Sequence, residues 1–331
     1  MRALITGKAQ PNNRGPAIRR MDRTRFSSLE ELGLGLSGSA LSKALDPFLG
    51  KGPGYGEARW QAEIALRRRR LFKRAARRVL ARWIGSGRRS TEEVREEYDS
   101  VWAIGHERYD LSGRAPKFAP WLWRGQHLLF DAAGAPRFRS LVYAAVIEAL
   151  KPRRVLEVGS GDGINLLLLA GAFPEISFTG LELTASGLAA ARRIQQLPQL
   201  PEPLLRYSIL PVKDRSAFQR IEFIEGNACA MPFPDGAFDL VLTVLAVEQM
   251  ERVRAAALAE IARVTGGYLL NLEPFREMNA TGLRRLNIMS RDYFRGSISE
   301  LTNYRLEPLW ATSDFPHEVF LGAALVLSRK Q

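Results

Sequence analysis

Apolar residues in the second half of the chain gather in short runs separated by stretches of helical period. Residues 154–158 form one such run, carrying a single acid, Glu157, and leading into glycines at every second position: Gly159, Gly161 and Gly163. A helix-period run over 164–170 follows, so the pattern predicts a buried strand, a tight turn and a helix start. The runs 176–183, 221–228 and 267–272 predict further strands, as does 232–244, a turn followed by an apolar strand, with helices over 186–197 and 252–264 between them. Residues 138–150 predict a helix ahead of the first strand, and the chain closes with two extended runs, 304–312 and 318–328. Strands that alternate with helices and are apolar on both faces predict an α/β fold with a doubly wound parallel sheet.

The glycine turn is the strongest sign of chemistry. A Cβ there would obstruct a ligand approaching the backbone and would penalise positive φ. A dinucleotide-binding turn places its third glycine five residues after the first, where Ile164 stands. Asp162 would also face any phosphate with a carboxylate. An acidic turn, with Glu157 at the strand end, suits instead a ligand bearing an amine or another cation. Downstream, Glu182 closes the second strand where a carboxylate can accept from ribose hydroxyls. Asn227 closes the third, within reach of a base edge.

Taken together, the segments VLEVGSGDG, GLELT, EGNACAMPFPDGAFDLVLTVLAVEQM and EIARVTGGYLLNLEP resemble, in order and spacing, the class I S-adenosylmethionine-dependent methyltransferases, in the branch that methylates small molecules, quinones and sterols. The resemblance covers roughly residues 136–329. It implies a Rossmann-like, seven-stranded, mostly parallel sheet with an antiparallel last strand, and S-adenosylmethionine as cofactor. It also implies that Glu157, Gly159, Ser160, Gly161, Asp162 and Gly163 hold the methionine part, and that Glu182 holds the ribose. Leu183 would pack on the adenine, with Asn227 and the backbone of Ala228 at its edge. The family more often has Asp where Asn227 stands, and Glu248-Gln249 replaces the acid-histidine pair of many relatives.

Charge divides the chain unequally. Residues 1–90 hold 21 Lys and Arg against 6 Asp and Glu, so the net charge of +13 belongs to this part alone. Residues 1–25 are Arg-rich with little apolar content and are predicted disordered, with Met21 as an alternative start. Gly- and Ser-rich 32–56 reads as linker, so 1–56 is expected to be a basic segment and linker. The 57–135 stretch is expected to be a helical extension or cap, and 136–331 the methyltransferase domain. Over 57–84, Trp60, Ile64, Leu71, Ala75, Val79 and Trp83 recur at helical spacing among arginines. Such a helix can contact an anionic membrane or a nucleic acid, or it can lay its stripe on the domain and solvate its arginines. Cys229 is the single cysteine, which suits a reducing cytoplasm. The longest apolar stretches, 166–173 and 320–327, are too short to span a membrane. No metal site is expected.

The resemblance implies methyl transfer to an O, N or C atom of a small organic acceptor, without naming a catalytic residue. The alternatives are an RNA-directed enzyme docking through the basic N-terminal region and a non-catalytic cofactor-binding partner protein. Glu248 is a candidate base at the mouth after the fourth strand, set against its reading as a structural acid. Tyr98, His106, Tyr109 and His127 are weaker candidates. Trp121 and Trp123 read as a hydrophobic seam between the N-terminal helix and the core. Arg276, Arg284, Arg285, Arg291 and Arg295 read as a solvated basic face, and His317 as ordinary surface.

Overall fold

The computed structural model describes residues 26–83, 91–102, 116–205 and 207–331. The expected disorder of 1–25 lies outside these. In chain order the elements are α1 (Gly38–Leu45), α2 (Glu57–Trp83), α3 (Thr91–Trp102), β1 (Phe118–Trp123), β2 (Gln126–Asp131), α4 (Ala135–Leu150), β3 (Arg154–Val158), α5 (Ile164–Ala170), β4 (Ser177–Glu182) and α6 (Ala185–Gln195). They continue with α7 (Glu202–Leu205), β5 (Glu222–Glu225), β6 (Phe238–Val244), α8 (Arg254–Val264), β7 (Thr265–Glu273), α9 (Gly282–Arg291), β8 (Leu306–Thr312), β9 (His317–Glu318) and β10 (Ala324–Lys330).

Seven strands form the central sheet in the order β5-β4-β3-β6-β7-β10-β8. β10 runs antiparallel to both neighbours, and the strands from β5 to β7 pair in parallel. The period of two decides which side chain meets which layer. Val155, Leu240, Leu242, Leu270 and Leu272 face one apolar layer, with α4 and α5. Leu156, Val158, Val241 and Leu269 face the other, with α8. Burial on both faces explains why these strands read as continuous apolar runs. From β3 the chain winds outward through β4 to β5, then returns to the other side of β3 as β6. The strand order therefore reverses between β3 and β6, where α/β sheets open a crevice at their carboxyl ends.

Two expectations for the N-terminal half need correction. Residues 32–56 are not simply a linker, because they contain α1. Ser37 caps it by accepting from Ala40 N at 3.1 Å, and Leu41 and Leu45 are fully buried in the layer that also contains α4. The 57–135 stretch is not wholly helical either. β1 and β2 form a hairpin joined by Arg124 and Gly125, both at positive φ (47° and 73°), the two-residue turn that matches strand twist. With β9 they make a second, three-stranded sheet. Trp123 is buried there, and Trp60 of α2 donates from Nε1 to Trp121 O at 3.3 Å. The aromatic seam therefore exists, but it is built on strands.

α2 lays one side on the molecule through Trp60 and Leu71. Not all its arginines are solvated: Arg74 donates to Asn287 Oδ1 (2.5 Å) and Ser290 Oγ (3.1 Å) on α9, and Arg78 pairs with Asp292 (3.2 Å). The basic insert around α9 is likewise only partly a solvated face. Arg284 donates to Val319 O at 3.0 Å, and Arg295 pairs with Glu251 at 3.0 Å. Among the described residues, no helix is long and apolar enough to cross a membrane.

Candidate functional site

A cavity of about 310 Å³ opens at the reversal point, over the carboxyl ends of β3, β4 and β6, a volume at the lower end for ligand pockets. Glu157, Gly159, Ser160, Asp162, Glu182 and Leu183 line it, together with Asn227 and Ala228. Gly161 and Gly163 do not line it; they shape the turn. Gly163, at φ 74°, precedes α5, and a Cβ there would meet the Phe223 ring at 2.6 Å. Gly161, at φ 56°, leaves room for Trp102, whose indole would lie 2.5 Å from an added Cβ.

The cavity floor is acidic and mostly dry. Glu157 is 1 % exposed, Asp162 1 % and Glu182 6 %. Asn165 Nδ2 donates to Glu157 Oε1 at 2.5 Å, and Arg139 Nε donates to Asn165 Oδ1 at 2.9 Å. Glu157 Oε2 is buried and has no hydrogen-bond partner. Burial pushes the Glu157 carboxyl up to about 8, helped by Asp162 and Glu182 and opposed by Asn165 and Arg139. The Glu182 carboxylate is engaged within the fold through both of its oxygens. Its Oε2 accepts from Gly161 N (2.7 Å), and its Oε1 accepts from Thr184 N (2.9 Å) and Thr184 Oγ1 (2.6 Å). Asn227 Oδ1 accepts from Cys229 N at 2.9 Å. On this floor an anionic group would face the acids, with Arg95 and Arg139 elsewhere on the lining, whereas a cation beside Glu157 would complete its carboxylate.

Helix α3 roofs the cavity. Asp99 Oδ1 accepts from Ser186 N (3.3 Å) and Ser186 Oγ (2.7 Å) at the start of α6, which places Tyr98 and Trp102 on the lining. His106 and Tyr109 lie outside the described residues. His127 is far from this role: it stacks on Trp60 with ring centroids 3.6 Å apart, and its Nδ1 is 2.8 Å from Glu57 Oε2. Nor is His317 ordinary surface. Its Nδ1 donates to Phe315 O at 3.1 Å and its Nε2 accepts from Arg284 at 3.0 Å, while burial holds it below the usual histidine range.

Glu248 lines the cavity and is itself buried. Its Oε1 accepts from Gln249 Nε2 at 2.8 Å, and its Oε2 has no partner. Sequence reasoning missed Glu273, which holds the turn carrying Glu248. Its carboxylate accepts from Ala246 N (3.2 Å), Val247 N (3.1 Å) and Glu248 N (3.0 Å). Burial pushes Glu273 up to about 7, and burial with the neighbouring Glu273 pushes Glu248 up to about 8. A carboxyl raised from its ordinary 4.5 contributes stability that is complete below that value and is lost as pH rises through about 8. The ligand-free Glu248→Gln protein should therefore gain melting temperature relative to the parent between pH 4 and pH 9. The gain should be roughly 2–4 °C for each kcal/mol relieved. A difference that does not change with pH would show that burial does not suppress this ionisation.

Arg139 and Asn165 were also missed, although Asn165 had a signal, a lone polar residue in the otherwise apolar helical run 164–170. Leu245 follows β6 with φ 53°, and its N–H donates to Leu272 O at 2.9 Å. A non-glycine residue in the left-handed region marks a backbone constrained by its surroundings.

Comparison with known proteins agrees with this geometry. Residues 156–270 match the family described as "Methyltransferase domain". A fatty-acid O-methyltransferase of Mycolicibacterium smegmatis is 35% identical over 120 residues, covering 36% of this chain and 36% of that protein. The ubiquinone/menaquinone biosynthesis C-methyltransferase UbiE of Methylobacterium nodulans is 34% identical over 151 residues, covering 43% of this chain and 52% of that one. The chain thus spans a third to a half of the length of these relatives. Among solved structures, magnesium protoporphyrin IX methyltransferase from Synechocystis PCC 6803 superposes with a TM-score of 0.49 at 10% identity. The match covers 73% of this chain and 100% of that one.

Proposed function

We propose that this chain, whose residues 156–270 match the methyltransferase-domain family, is a class I S-adenosylmethionine-dependent methyltransferase that transfers a methyl group from S-adenosylmethionine to a small organic acceptor. The observation that carries this reading is the unpartnered Glu157 Oε2 in an acid-lined cavity at the reversal point of the sheet. A buried carboxylate oxygen with no donor fits the ammonium of an amino-acid-bearing cofactor. The positive-φ Gly159, on the lining, allows close approach to the backbone. Glu157 and the 159–163 turn would hold the methionine part, Glu182 the ribose hydroxyls, and Leu183 one face of the adenine. Asn227 and the backbone of Ala228 would meet the adenine edge, with the Asn227 amide oriented by Cys229 N–H.

When bound, S-adenosylmethionine supplies a methyl already activated by its sulfonium. The chain's own residues then align the acceptor and exclude water. Trp102 and Tyr98 cover the site, and Glu157, Asp162 and Glu182 make its floor acidic. Glu248, once ionised above about pH 8, is a carboxyl on the lining that can take a proton from an acceptor that must lose one. The two relatives, a fatty-acid O-methyltransferase and a ubiquinone/menaquinone biosynthesis C-methyltransferase, support a small organic acceptor here.

Helix α2 supports a second contact. Leu66, Phe72, Val79 and Leu80 are exposed among Arg68, Arg69, Arg70, Lys73 and Arg77. Interleaved apolar and basic side chains fit an anionic lipid surface better than a nucleic acid, which would reward only the charge. One assay addresses both readings. Labelled donor is incubated with the full chain and cell extract split into RNA, lipid and small-molecule fractions, with and without anionic vesicles. We expect label in the small-molecule or lipid fraction and salt-sensitive co-sedimentation with vesicles. Label in RNA would replace the acceptor reading, and donor binding with no transfer to any fraction would make the chain a non-catalytic binder. Absence of vesicle binding at low salt would remove the membrane contact alone.

A further inference from the structure

A second cavity, of about 110 Å³, adjoins the first, and Arg139 and Leu245 line both. Its walls come mostly from outside the 156–270 stretch that matches the family. Trp121 of β1 and Phe130 of β2 form one side; Phe138 of α4 and Phe315 form another. These walls exist because the small β2-β1-β9 sheet and the segment before β10 close over the end of the main sheet. Charge is confined to a few places: Arg139 where the cavities meet, and His317 and Glu318 of β9. The indole Nε1 of Trp121 is buried without an acceptor.

A mostly apolar cavity of this size is large enough for most of an aromatic ring or a short aliphatic segment. Left empty, it costs stability through lost contacts along its lining. The chain nevertheless keeps it, and holds Leu245 at φ 53° on the boundary with the first cavity. Arg139 commits its Nε to Asn165 Oδ1, and among the described residues it forms no ion pair with a carboxylate. Its remaining guanidinium donors are thus available to an anionic oxygen at the junction.

The geometry points to this second cavity as the acceptor's subsite: it takes the apolar ring or chain of an acceptor whose anionic oxygen faces Arg139, beside the donor cavity. The inference rests on the methyl-donor reading of the first cavity and adds the acceptor's chemical class. An acceptor that arrives as an anion needs no base to become nucleophilic, which fits a site whose lining acids are buried. A basic acceptor would set its cation against Arg139 at the junction, and a purely hydrocarbon one would leave the remaining donors of Arg139 without a partner.

Binding of hexanoate, hexanol and hexylamine to the full chain, measured calorimetrically with and without saturating S-adenosylhomocysteine, tests this. Hexanoate should bind at least tenfold more tightly than either neutral hexanol or cationic hexylamine. Ala323→Phe fills the cavity and should weaken hexanoate at least tenfold while leaving S-adenosylhomocysteine affinity within twofold. Leu321→Phe serves as a second filler should the first not fold. Arg139→Met should abolish the preference for hexanoate over hexanol. Hexanoate affinity unchanged by a folded filler variant, or no preference for the anion, would overturn the subsite. Failure of S-adenosylhomocysteine to bind would overturn the donor reading instead, and the measurements without it would still decide the subsite.

Discussion

Replacing Glu157 by glutamine should weaken S-adenosylmethionine binding by roughly 10- to 100-fold, the value of a charge-assisted hydrogen bond, while making the ligand-free protein more stable. Both effects come from the same oxygen. In the ligand-free chain, burial keeps the carboxyl up near 8, with Asp162 and Glu182 adding to it. Below that pH the group is mostly protonated, and a cationic ligand beside Oε2 must drive the proton off to gain its counter-ion. Donor binding should therefore release nearly one proton at pH 6.5, and affinity should rise close to tenfold per unit between pH 6 and 7. Calorimetry in buffers of different ionisation enthalpy reads the proton directly. The glutamine variant should release none and lose that pH slope. Its melting temperature at pH 8 should rise, because a folded carboxyl raised above 4.5 costs stability as pH climbs toward 8. A variant that binds the donor as tightly as the parent, or a parent that releases no proton, would remove Glu157 from the ligand's path.

Most of the central sheet was legible because its strands are buried on both faces and bounded by turn residues. The run expected over 176–183 is β4 at Ser177–Glu182, and the turn and strand expected over 232–244 end in β6 at Phe238–Val244. The last two extended runs are β8 and β10, but 318–328 was read too long. His317 and Glu318 belong to the other sheet, and β10 begins at Ala324. Local pattern cannot tell which sheet an extended residue joins, since that depends on pairing with Trp121 and Leu122 nearly 200 residues earlier. Helix α1 was hidden by its own composition. Glycine and serine dominate 32–56, yet Ser37 acts as a cap and Leu41 and Leu45 share one face. The β1–β2 hairpin was missed because its aromatic density drew attention away from Arg124-Gly125, the turn that defines it.

The site shows the same division. Residues whose role is local, such as the glycines of the turn, could be read from spacing. Glu273 could not, since its work is to accept three backbone N–H groups from 246–248, some 25 positions away and one strand over. Arg139 and Leu245 acquire significance only as walls common to two cavities. Glu182 stands between these cases: its place at a strand end was legible, but its engagement with Gly161 and Thr184 was not.

That engagement gives Glu182→Ala the second large expected effect. Removing the carboxylate leaves the Gly161 and Thr184 N–H groups without their acceptor in a buried setting, at about 1–3 kcal/mol for each. The glycine turn and the start of α6 should both loosen, because Thr184 also caps α6 through Gly187 N. We expect donor affinity to fall more than 100-fold and the melting temperature to drop by several degrees. Affinity loss alone would not separate a lost ribose contact from a disordered turn, but a cycle with the ligand does. If the carboxylate accepts from ribose hydroxyls, S-adenosylhomocysteine lacking them should bind the parent weakly, yet lose far less on Glu182→Ala than the intact ligand loses. The coupling between the two changes should be at least tenfold. Equal losses for both ligands would mean that Glu182 serves only to hold Gly161 and Thr184 in place, and that the ribose is bound by something else.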